Sequence, residues 1–194
     1  MTRTTDLPVL PQFLDRWSPR SFDSSEISEQ DLLTLFDGAR WAPSAFNWQP
    51  WRFVWARRGD ANWATLVDLL LPFNAGWAQN ASALVFLLSD REIVAPGTTE
   101  AKPATTASFD AGAAWAFLAL QAHELGLATH AMAGFDHERA PAALGAGERF
   151  KVEAAIAIGR RGPASALPEA LQAREAPSPR RAIDEFAFAG KLPG

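Results

Sequence analysis

Apolar positions along the chain recur at a helical spacing, at a strand spacing, or in short unbroken runs, and these patterns divide it into elements. Ser28 and Asp31 form a capping signal, behind which Leu32, Leu35, Phe36 and Ala39 fall on one helical face. WRFVWAR (Trp51–Arg57) and SALVFLLS (Ser82–Ser89) are short and rich in β-branched and aromatic residues, and they predict strands. Between them Asp60 is placed to cap a helix running to Leu71. The spacing predicts a long helix over Ala107–Leu125, ended by Gly126. Its Gly112, Ala113, Ala114, Ala116 and Ala119 leave a side that another backbone can approach closely. A short helix around Val9–Trp17, a strand near Ala128–Met132, a short helix after Asp136 and a strand over Val152–Gly159 complete the pattern. Residues 90–106, with Pro, Gly and four Thr, form the longest predicted loop. RWSPRSF (Arg16–Phe22) contains Pro19 and is expected to be extended or turn-like.

Helices and strands mix without a βαβ rhythm, which predicts an α+β fold. No linker or internal repeat divides the 194 residues, so one domain over 1–194 is expected. From Arg160 onward the chain is rich in Pro, Ala and Arg, with little core periodicity before Ile183, Phe186 and Phe188. Such a tail is either disordered or wraps around something.

Composition narrows the chemistry. With no Cys, disulfides, thiolate zinc sites and thiol catalysis are excluded. Three His, at 123, 130 and 137, leave little room for a His-rich metal centre, so no metal is expected. A net charge of −4 supplies no global basic field for nucleic acid. No apolar run reaches the roughly 18 residues of a membrane-spanning helix, and the start lacks a leader pattern, so the expected compartment is the cytoplasm. There is no Gly-rich dinucleotide fingerprint, Walker loop or nucleophile elbow. Eight Trp and thirteen Phe stand beside no Tyr: much aromatic surface without phenol chemistry.

Three segments carry polar specificity. In RWSPRSF, Arg16, Ser18 and Arg20 alternate at a spacing of two. In an extended chain they share one side, with the two arginines emerging about 13 Å apart. That suits an elongated anion, because guanidinium forks bind phosphate in a bidentate manner; a solvated strand bearing two ordinary arginines is the alternative. In WAPSAFNWQPW (Trp41–Trp51), prolines bracket Ser44, Asn47 and Gln49 beside Phe46 and Trp48. Amides that both donate and accept, held beside aromatic faces, suit a heteroaromatic ring with carbonyl and imino groups; a structural turn bonding its own backbone is the alternative. The pair Arg180 and Arg181 matters only if the tail folds back beside Arg16.

Taken in order, these segments resemble the nitroreductase-type flavoprotein family. RWSPRSF resembles its N-terminal phosphate-binding motif, and APSAFNWQPWRF its Pro-Ser, Asn, Gln-Pro-Trp loop. PFNAGWAQNASALVFLLS resembles the following helix-strand segment. FDAGAAWAFLALQAHELGLATHAMAGFD resembles the long central helix and its Gly-Phe-Asp turn, and PRRAIDE the basic closing motif. The resemblance spans roughly Arg16 to Glu185. It implies an α+β sandwich with a central, mainly antiparallel sheet flanked by helices. It also implies an intertwined homodimer with FMN at the interface and a C-terminal arm, about 160–194, packed on the partner subunit.

Carried over by position, Arg16 and Ser18 would hold the FMN phosphate with Arg180, and Trp17 would be among the cofactor-binding residues. Arg20 would reach the pyrimidine end of the ring and stabilise the negative charge that builds there on reduction. Pro43, Ser44, Asn47 and Gln49 would line the flavin from the other subunit, Asn74 would bind the pyrimidine edge, and Met132, Ala133 and Gly134 would run beside the ring. The activity implied is ping-pong, two-electron transfer from NADH or NADPH through the flavin to a nitroaromatic, quinone or similar small acceptor, with no side-chain nucleophile or base. The chain departs from the family at Trp77, where many relatives carry Lys, at Ala133, where many carry Glu, and at Ala182, a common proline. Trp48, Trp77 and Phe109 are large enough to narrow a pocket toward flat substrates. A flavin carrier or interaction protein without turnover, and an acidic interaction domain without cofactor, are the competing readings.

Overall fold

The computed structural model describes residues 3–94 and 97–193. Its elements run α1 (Pro11–Asp15), α2 (Glu29–Ala39), β1 (Trp51–Arg57), α3 (Trp63–Asp68), α4 (Pro72–Ala78), β2 (Ala83–Asp90), β3 (Glu92–Val94), β4 (Ala101–Pro103), α5 (Ala107–Glu124), β5 (Ala128–Met132), α6 (Ala140–Ala143), β6 (Phe150–Gly159) and α7 (Glu169–Gln172). Every residue of β2 is buried, so apolar layers must cover both of its faces. The sheet runs β1-β2-β6-β5 with all neighbours antiparallel.

On one face Ala83, Val85 and Leu87 join Ile156, Ile158 and the inner sides of α2 and α5; on the other Leu84, Phe86 and Leu88 join Leu66, Leu69, Trp77 and Phe135. Burying one such Leu or Phe contributes roughly 1.5–3 kcal/mol, and the two layers together make the sheet the centre of a sandwich. α2 and α5 approach closely where α2 carries Gly38: a Cβ there would lie 2.9 Å from the Gln121 Cβ. Register in the sheet shifts between Leu87 and Leu88, leaving Glu153 as the extra residue on β6. Its side chain accepts from the Ser89 and Ser108 hydroxyls at 2.6 Å and pairs with Lys151 at 2.8 Å.

The Ser28–Asp31 capping box forms as expected. β1 and β5 match their predicted spans, and Gly126 (φ +69°) follows the end of α5. Three expectations are corrected. Asp60 does not cap a helix to Leu71: its carboxylate accepts from the Arg57 amide at 2.9 Å in a turn, a six-residue α3 starts at Trp63, and Pro72 opens a separate α4. Residues 90–106 are not all loop, because β3 and β4 pair as a small hairpin; Ala95 and Pro96 of that stretch lie outside the described residues. The first helix is confined to Pro11–Asp15, since Arg16 already adopts an extended backbone.

After β6 the chain is partly built into its own core: Leu167 and Leu171 are buried, whereas nearly every residue from Ala173 to Pro193 is exposed or half-exposed. Among the described residues no helix is long and apolar enough to cross a membrane.

Candidate functional site

Arg16–Ser21 runs between α1 and the Phe22–Arg161 bridge without a strand partner of its own. It opens onto a cleft of about 540 Å³ that Arg16, Trp17, Ser18 and Arg20 line together with Arg180, Arg174, Arg3 and His130. The tail therefore does fold back beside Arg16. Five guanidiniums share this cleft, and among the described residues none of them forms a salt bridge.

The electrostatics follow from that crowding. Burial, then Arg3 and Arg180, holds the Arg16 guanidinium below its ordinary value. Burial and Arg174 lower Arg20, against the opposing pull of Glu175. A cation that is partly desolvated and faces like charges gains from any anion that enters. Ser18 adds a hydroxyl 3.5 Å from the Arg16 guanidinium, and the Arg20 Nε–H is buried without an acceptor. An incoming acceptor, from a ligand or a water, would satisfy this donor.

The second group lies elsewhere. None of Pro43, Ser44, Asn47 and Gln49 lines the arginine cleft; they form the loop between α2 and β1. Ser44 Oγ accepts from the Gln49 amide at 3.0 Å, and the Gln49 side chain donates to Asn47 Oδ1 at 3.2 Å. Phe46, Asn47 and Gln49 all have left-handed backbones, with φ of +50°, +56° and +52°. Such strain in non-glycine residues costs of order 1–3 kcal/mol each and concentrates at functional sites. Asp110 of α5 anchors the loop by accepting from the Ala45 amide at 3.3 Å.

The third group meets around the turn after β5. Asn74 donates to the Gly134 carbonyl at 2.9 Å, and a Cβ on Gly134 would fall 2.4 Å from the Asn74 amide nitrogen. Among the described residues neither the Ala133 nor the Gly134 N–H finds a backbone acceptor, so both remain available to a ligand. The Met132 side chain is buried in the core and does not line the cleft. Trp77 does not narrow a pocket either. It is 2% exposed, stacks on Phe22 at 6.3 Å and packs against His130 at 4.7 Å. Phe109 and Phe46 are exposed, and Phe46 leans on Trp48 at 4.8 Å.

Arg3, His130, Arg174 and Glu175 were not identified from the sequence as parts of this region. Each reaches it across a long stretch of chain, and no spacing rule signals such a contact. His130 Nδ1 lies 2.9 Å from the Pro19 carbonyl; because a carbonyl only accepts, the ring proton sits on Nδ1. Burial, together with Arg20 and Arg16, lowers the His130 pKa from its ordinary value, opposed by hydrogen bonds to the Pro19 and Ser18 backbone.

An antiparallel sheet between two helical layers, with a cleft lined by arginines beside it, defines an α+β class of protein. A family model described as Nitroreductase family matches residues 14–160, and the chain belongs to that family. A Mycolicibacterium smegmatis protein, an uncharacterized 15.4 kDa protein in the ask 5' region, is 38% identical over 149 residues, covering 72% of this chain and 96% of its own. A Thermus thermophilus protein named NADH dehydrogenase is 31% identical over 183 residues, 79% of this chain and 88% of its own. Among solved structures, one described as an oxidoreductase containing FMN superposes with a TM-score of 0.95 at 47% identity, over 99% of this chain and 96% of that one. A Desulfovibrio desulfuricans structure in complex with FMN gives 0.71 at 25% identity, over 97% and 100%.

Proposed function

We propose that this protein is an FMN-dependent NAD(P)H oxidoreductase that works as a homodimer and reduces electron-poor acceptors such as nitroaromatics and quinones. The observation that carries this reading is the convergence of Arg16, Ser18, Arg20 and Arg180 on one cleft whose arginines form no salt bridge among the described residues. The residues present fit FMN: cationic forks for a phosphate, a buried unpaired donor on Arg20, and a Gly134 turn too tight for a side chain. The FMN-containing neighbours and the name of the Thermus relative support the same reading.

In this reading Arg16, Ser18 and Arg180 hold the phosphate, with Trp17 beside them in the cleft lining. Arg20 directs its free Nε–H and its charge at the pyrimidine end, where a fixed cation stabilises negative charge without reorganising. Asn74 presents an amide already oriented by Gly134, and the Ala133 and Gly134 N–H groups face the ring. When bound, FMN supplies the hydride chemistry, which the side chains do not. Pro43, Ser44, Asn47 and Gln49 serve the partner subunit's cofactor, which is why they stand apart from the cleft of their own chain. The exposed outer side of α5, with Phe109, Gly112, Ala116 and Phe117, then packs on the partner, as does the end of the 160–194 arm.

The test is an absorbance spectrum of the purified protein after FMN is added and excess removed, followed by anaerobic addition of NADH or NADPH. Retained flavin bands that bleach support the enzyme. Retained bands that no nicotinamide bleaches reduce the protein to a flavin carrier, and a colourless protein overturns the cofactor reading.

A further inference from the structure

The segment that carries the anion-binding side chains has no ladder to hold it, so its peptide groups must be satisfied by other means. The Ser21 carbonyl accepts from the Gly162 amide at 2.9 Å, and four other groups are satisfied by side chains from three distant parts of the chain. Arg3 donates to the Arg16 carbonyl at 2.8 Å. His130 donates to the Pro19 carbonyl at 2.9 Å. Glu175 accepts from two successive amides: its Oε1 lies 2.9 Å from the Arg20 N and 2.8 Å from the Ser21 N, and its Oε2 lies 3.0 Å from the Arg20 N.

The Glu175 contact is unexpected in its surroundings. A carboxylate beside Arg20 and Arg174 ordinarily takes a guanidinium, yet among the described residues Glu175 forms no salt bridge. Its charge is spent on backbone N–H groups, a charge-assisted bond of the stronger kind. Glu175 is itself placed by the turn that closes α7, where the Arg174 and Glu175 amides donate to Leu171 and Gln172, and Leu171 is buried. The contact thus connects a rooted part of the tail to the direction in which Arg20 enters the cleft.

Resting on the FMN reading above, we infer that Glu175 is a positioning residue of the cofactor site: it pins the Arg20 and Ser21 amides and so aims Arg20 at the ligand without touching it. Simple electrostatics predicts the opposite effect of removing it. A negative charge near an anion site weakens anion binding, so deleting a Glu175 that acted only through charge would tighten FMN.

The experiment uses the full chain. FMN dissociation constants are measured by flavin fluorescence for wild type, Glu175→Ala, Glu175→Gln and the exposed control Glu169→Ala, with deuterium exchange followed over residues 16–22 of the cofactor-free protein. Glu175→Ala is expected to weaken FMN about tenfold or more, on the scale of a lost charge-assisted hydrogen bond, and to speed exchange in that peptide. Glu175→Gln keeps an acceptor oxygen and is expected to fall between the two, and it carries the test if the alanine variant does not fold. Glu169→Ala is expected to match wild type in both. Unchanged or tighter FMN binding in Glu175→Ala, or exchange that stays slow, overturns the inference. A wild-type protein that does not bind FMN overturns the cofactor reading, and this assignment falls with it.

Discussion

Asn74 donates its side-chain amide to the carbonyl of Gly134, 60 residues away in sequence, at 2.9 Å. The bond joins α4 to the turn after β5, and it forms only because Gly134 has no Cβ to occupy the space of the amide. Gly134→Ala is therefore expected to displace Asn74 and to weaken FMN at least as much as Asn74→Ala does, by about tenfold if one good hydrogen bond is lost. Fluorescence titration of both variants and the double mutant checks this. Additive effects would mean that the two residues act independently.

Arg16 and Arg180 are brought to the same cleft from opposite ends of the chain. Replacing either by Ala is expected to weaken FMN about 10- to 100-fold, the range of a hydrogen bond to a charged group. Arg16→Lys is expected to recover only part of that loss, because an ammonium lacks the planar fork. Added salt should weaken wild-type binding and do so less steeply in the variants, as measured by titration across ionic strength.

His130 gives the stability of the cofactor-free protein a definite pH dependence. Its pKa is lowered in the folded state, chiefly by burial, so below the ordinary value near 6.5 the unfolded chain binds the proton first. The contribution is complete above that value and is lost as pH falls from it toward the lower folded pKa. Denaturant melts between pH 5 and 8 are expected to show this slope in wild type and a flatter one in His130→Gln.

Neighbouring positions on α5 separate folding from assembly. Leu118 is fully buried against the sheet, whereas Phe117 is 40% exposed. Leu118→Ala is expected to cost about 2–5 kcal/mol, seen as a clear drop in melting temperature at fixed protein concentration. Phe117→Asp is expected to leave the circular dichroism spectrum unchanged and to convert a dimer to a monomer in sedimentation velocity. A wild-type monomer would overturn the assembly proposed above.

Much of this protein is legible in one dimension because the physics is local. The capping box of Ser28 and Asp31, the β-branched and aromatic content of β1, the apolar run of β2 and the glycine after α5 act over a few residues, and the motifs around Arg16 and Asn47 lie within short contiguous stretches. Where local signals compete, the reading fails: Asp60 prefers its own turn to a helix cap, and the hairpin of β3 and β4 is too short to show a period. The sheet order, the burial of Trp77, the arrival of Arg3 and Arg174 beside Arg16, and the grip of His130 and Glu175 on Pro19, Arg20 and Ser21 were decided by the tertiary structure alone. The bond from the Arg20 amide to Glu175 alone joins residues 155 positions apart. The energy of these contacts depends on packing and desolvation that exist only once the sheet and its two helical layers have closed.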